Sequence, residues 1–137
     1  MGAPAARRRR CFVVAGLLLV VAAGCGGGGA GGVAGARDLA ADESGWDSAT
    51  EAASTLARAT QLLLDEARGC PAGSPSCTAV AAAAGYTEVL AAAVLTCTAP
   101  GRFQARTELV QYLDAVASVT DDQSSLPTPP SPPDCRR

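Results

Sequence analysis

The chain contains no histidine and no lysine, and asparagine and isoleucine are missing too. Each absence removes chemistry. Histidine is the commonest general base near neutral pH, and a Ser-His-Asp triad cannot be built without it. Lysine carries Schiff-base mechanisms. Aromatic residues are scarce as well, with one tryptophan, two tyrosines and two phenylalanines in 137 residues. No G-x-S-x-G elbow supplies a nucleophile. Asp65-Glu66 and Asp121-Asp122 are adjacent pairs, which diverge on a helix and make poor acid/base partners. The reading is that the protein is not an enzyme and uses no cofactor.

What is present begins at the N-terminus. Arg7 to Arg10 form a basic run, Phe12 to Gly24 an apolar stretch of 13 residues, and Cys25 follows. A bilayer core needs about 20 helical residues, so this stretch is short for a span. A basic run, an apolar run and then small residues form the layout of a secretory signal.

Val21-Ala22-Ala23-Gly24-Cys25 resembles the lipobox of bacterial lipoprotein precursors. The resemblance implies that Cys25 receives a diacylglyceryl group and becomes the first residue of the mature chain. Two acyl chains hold a protein firmly where one is marginal. The implied location is the outer face of a bacterial cell membrane, with free secretion as the alternative. Arg9-Arg10-Cys11-Phe12 also resembles the core of a twin-arginine signal. An ordinary charged leader is the preferred reading of those four residues.

Cleavage before Cys25 leaves 113 residues, enough for one small domain. They carry seven arginines against 13 acidic groups, a net charge of −6. An acidic chain without a basic cluster is a poor nucleic-acid binder. Seven glycines in the eleven residues from Gly26 to Ala36 predict a flexible tether, with about 20 Å of reach. The expected organisation is a signal over 1–24, an anchor and tether over 25–45, a helical domain over 46–121 and a Pro/Ser-rich tail over 122–137.

Within the domain, Ser48 and Glu51 have the capping-box spacing. Ala49, Ala52, Leu56, Ala59, Leu63 and Ala67 follow at helical spacing, ending near Gly69. Ser74-Pro75 opens a second helix, which reaches about Cys97 and is apolar nearly all round. Thr98 to Gly101 break the pattern. A third helix carries Phe103, Val110, Leu113 and Ala117 on one face, widened by Leu109 and Val116. The expected fold is all-α: a small antiparallel three-helix bundle stapled by disulfides.

Four cysteines remain once Cys25 is set aside, and they allow three pairings. Cys77 and Cys97 sit 20 residues apart on one helix, about 30 Å. A disulfide needs Cα atoms within roughly 7 Å. Cys70 lies at the Cys77 end, so Cys70–Cys77 and Cys97–Cys135 are predicted. Loop entropy gives about 2.5 and 4 kcal/mol for the two. A break at Gly85 would loosen that elimination. There is no C-x-x-C pair and no histidine for a mixed zinc site, so no metal is expected.

One polar group of residues stands out. Pairing about the two turns sets Glu88 near Arg58 and Tyr86 level with Tyr112, with Arg106 one turn away. These residues form a candidate ligand groove. The competing reading is a surface Arg58–Glu88 ion pair with the tyrosines capping the core edge, and it is preferred. The expected role is binding or scaffolding at the membrane, toward a protein or cell-wall partner. A small-ligand carrier is the alternative.

Overall fold

The computed structural model describes residues 31–133 and Cys135. The signal segment, Cys25 and the first part of the tether lie outside the described residues. The described residues hold four α-helices and no strand. Helix α1 spans Gly31–Ala41, α2 Ala49–Arg68, α3 Pro75–Ala93 and α4 Ala99–Ala117. Short 3₁₀ turns at Glu43–Trp46 and Val94–Thr96 join α1 to α2 and extend α3.

Helix α1 corrects the tether reading over 31–45 and moves the start of the folded part ahead of Trp46. Val33, Ala36 and Ala40 recur at helical spacing and are buried. Glycine here serves close packing. A Cβ at Gly32 would stand 2.5 Å from the Leu62 carbonyl oxygen, and one at Gly35 would stand 3.1 Å from Leu62 Cδ1. Only glycine lets α1 approach α2 this closely. Glu66 on α2 accepts the free Val33 N–H at 2.8 Å, placing an anion at the helix start.

Helix α2 begins as its sequence dictates. Ser48 Oγ accepts the Glu51 N–H at 3.1 Å, and Gly69 ends the helix. Ala52, Thr55, Leu56, Ala59, Thr60 and Leu63 form its buried stripe. The link to α3 turns at Gly73, whose φ of 88° is left-handed. Ser74 Oγ then accepts the Cys77 N–H at 3.2 Å, with Pro75 in the first turn.

Helix α3 is one-sided, where its composition suggests burial all round. Ala79, Val80, Ala83, Ala84, Tyr86, Thr87 and Leu90 are buried, while Ala81, Ala82, Gly85 and Val89 are exposed. Alanine is small enough to stand in water at little cost, so apolar composition overstated the buried arc. The stretch Pro75–Thr96 is long and apolar enough to cross a membrane by length and composition. The α-helix ends at Ala93, short of Cys97, and continues unbroken through Gly85.

Helix α4 turns inward a face shifted from the expected one: Leu109, Leu113 and Val116 are buried as expected, and Ala105 and Tyr112 join them in place of Ala117. Ala105, Leu109, Tyr112, Leu113 and Val116 are buried, Phe103 and Val110 are half-buried, and Ala117 is exposed. Trp46 is wholly buried and anchors the first 3₁₀ turn. Beyond α4, the described residues of the tail carry no helix, and Cys135 among them is buried.

The cysteines pair as the elimination predicts. Cys70 joins Cys77 with Cα atoms 6.1 Å apart, across the α2–α3 link. Cys97 joins Cys135 with Cα atoms 4.1 Å apart, tying the tail to the start of α4.

Candidate functional site

Tyr86 on α3 and Tyr112 on α4 are brought together. Their rings pack edge to face, with centroids 5.4 Å apart and planes at 80°. That arrangement sets a positive ring edge against a negative ring face. Both residues are more than nine-tenths buried, and neither hydroxyl has a hydrogen-bond partner. Burial pushes the Tyr86 phenol up to about 12, and the charge of Glu108 and the neighbouring Tyr112 add to the rise. Burial raises Tyr112 as well. Both phenols are neutral at physiological pH and offer one donor each.

Arg58 and Glu88 are placed differently. Both are exposed, and no ion pair joins them. Arg106 does not turn toward Glu88. Its guanidinium donates to the Ala41 carbonyl at 3.2 Å and pairs with Glu43 at 3.4 Å. Helix α1, read as tether in the sequence, supplies the Ala41 carbonyl, and the 3₁₀ turn after it supplies Glu43. Arg106 Nε is buried without a partner.

Two features escaped the sequence reading. Arg102 is a clamp: its guanidinium donates to the carbonyls of Trp46 at 3.1 Å, Cys97 at 3.1 Å and Asp47 at 3.0 Å. Those carbonyls close the 3₁₀ turn and precede α4, and a rigid fork of donors suits them. Thr60 and Thr87 form a buried polar pair, with hydroxyls 2.7 Å apart. Thr60 also reaches the Leu56 carbonyl at 2.8 Å and Thr87 the Ala84 carbonyl at 3.0 Å. Two hydroxyl protons serve these three contacts. A threonine on the apolar stripe of each helix was the available signal for this pair.

Among the described residues, no group of three or more Cys, Asp or Glu side chains gathers to hold a metal ion. The chemistry on view is therefore packing, two disulfides and a buried pair of unpartnered phenols. Comparison with family models, curated proteins and solved structures finds no match to this chain.

Proposed function

We propose that this chain is an extracytoplasmic helical protein, held at the outer face of a bacterial membrane by lipid on Cys25, with a binding or scaffolding role. The observation that carries the reading is the pairing of all four cysteines beyond Cys25 into two disulfides. Such pairs persist in oxidising compartments, outside the cytosol. The lipobox-like Val21 to Cys25 supplies the route and the anchor. In the finer fold reading, α2, α3 and α4 form the antiparallel bundle and α1 packs on it. Cys70–Cys77 and Thr60–Thr87 fit one such hairpin register between α2 and α3.

Replacing the anchor residue tests this. Wild-type protein should sediment with membranes and partition into detergent. Cys25→Ser should be neither lipidated nor cut before residue 25, and its precursor should accumulate. Wild-type protein found soluble in the cytoplasm would refute the proposal.

A second reading is a small-ligand carrier, favoured by the two orphaned tyrosine hydroxyls. A ligand with a polar group at the two hydroxyls would complete their hydrogen bonds. Heteronuclear NMR against a library of small polar aromatics tests it. Shifts centred on Tyr86 and Tyr112 would support a carrier, and shifts confined to exposed residues would reject it.

A further inference from the structure

The tail after α4 falls into two parts with different backbone chemistry. From Thr120 to Ser125 it is turned on itself. The Gln123 N–H donates to the Thr120 carbonyl at 3.1 Å. The Gln123 side chain accepts the Thr120 N–H at 2.9 Å and donates to the Ser125 carbonyl at 3.2 Å. From Leu126 to Pro133 no residue takes part in a hydrogen bond.

That second part has a period of three. Pro127, Pro130 and Pro133 are half-buried, while Thr128, Pro129, Ser131 and Pro132 are exposed. Three residues per turn is the repeat of a polyproline helix, whose backbone is free of internal hydrogen bonds. Thr128 and Ser131 are three apart and therefore lie on one side of the extended chain. The Cys135–Cys97 bond fixes its far end.

The two hydroxyls differ from most others in the fold. Thr60, Thr78, Thr87, Thr96, Thr107 and Ser118 each return a hydrogen bond to a carbonyl three or four residues earlier. Thr128 and Ser131 have no such partner. Each stands between prolines, in Pro127-Thr128-Pro129 and Pro130-Ser131-Pro132. The strand is extended and unpaired, so its hydroxyls can reach a group-transfer enzyme without any hydrogen bond being broken first.

We propose that Thr128 and Ser131 are acceptor sites for O-linked sugar. The inference rests on the extracytoplasmic reading above. Serine and threonine among prolines is the composition of glycosylated stalks, and Thr128 and Ser131 are the two tail hydroxyls that stand between prolines. The donor is a glycosyl phosphate presented at the membrane. The hydroxyl oxygen forms a bond to the anomeric carbon while the bond from that carbon to the phosphate oxygen breaks. The phosphate leaves with the electron pair, and the hydroxyl proton passes to a base of the transferase. A nucleoside triphosphate donor belongs to the reducing interior, opposite the compartment in which Cys97 and Cys135 pair.

The test is peptide mapping of the full chain isolated from the cells that encode it. The tail peptide should carry whole hexose increments assigned by fragmentation to Thr128 and Ser131. The Thr128→Ala/Ser131→Ala variant should lose them all, while Thr50→Ala/Ser54→Ala, at free hydroxyls on α2, should retain them. A bare tail on a chain that has been processed at Cys25 and has formed both disulfides would overturn the sugar sites and leave the export reading standing. So would sugar confined to Thr50 and Ser54, or a phosphatase-sensitive increment on the tail. An unprocessed chain with free thiols would overturn both.

Discussion

The hydroxyls of Thr60 and Thr87 meet 2.7 Å apart in the buried seam between α2 and α3. Thr87 is fully buried, and a partner lost from one side leaves the other hydroxyl only the carbonyl of its own helix. Either single change, Thr60→Val or Thr87→Val, should cost about 0.5–1.5 kcal/mol. Either change already loses the shared contact, so replacing both together loses it only once and keeps the shape. Urea unfolding of the double variant should show a cost well below the sum of the singles. A strictly additive result would mean that the hydroxyls are not coupled.

Gly32 and Gly85 should respond in opposite ways to alanine. At Gly32 the new Cβ meets the Leu62 carbonyl and Glu66, so Gly32→Ala should destabilise by about 1–3 kcal/mol. At Gly85 nothing lies within 4 Å, and the residue sits inside a helix. Gly85→Ala should stabilise by about 0.5–1 kcal/mol. Thermal unfolding reads both. A neutral Gly32→Ala would restore the tether in place of α1.

Arg102→Ala should cost about 2–4 kcal/mol, because three carbonyls lose a charged donor. Arg102→Lys should recover less than half of that loss. An ammonium is a point charge and cannot serve the three acceptors as a planar fork does. Full rescue by lysine, measured by denaturant midpoint, would reduce the clamp to simple charge.

The Tyr86 phenol sets an alkaline limit. Its folded pKa is raised from 10.0 to about 12, so the folded state holds the proton more tightly than the unfolded chain. The stabilisation is complete below pH 10 and is lost as pH climbs from there toward 12. Tyr86→Phe should flatten that decline, leaving the share due to Tyr112. Unfolding midpoints across this range, read beside ultraviolet titration of the phenols, check the sign. Stability that rises over the same interval would contradict it.

How much of this was legible in the sequence depended on how local the signal was. Ser48 and Ser74 cap helices through atoms three residues away, and both starts were readable. The cysteine pairing was readable because helix length alone forbids Cys77 from reaching Cys97. Helix α1 was hidden because glycine has two meanings, freedom and close approach, and only the position of Leu62 tells them apart. Val33, Ala36 and Ala40 were the periodic trace of it. The inward face of α4 depended on neighbours the sequence does not name. Arg106 was placed only by its level, one turn from Glu88, because its acceptors, Ala41 and Glu43, sit at and just beyond the end of the helix that was missed. Of the candidate groove, the register of Tyr86 and Tyr112 was local enough to read, while the paths of the long Arg58 and Glu88 side chains were not.

The most direct measurement is the intact mass of the protein from its native membrane fraction, with alkylation before and after reduction. The account predicts a chain that starts at Cys25, carries a diacylglyceryl group, and exposes four alkylatable thiols only after reduction. An uncleaved chain with thiols that alkylate without reduction would contradict the anchor, the staples and the compartment together.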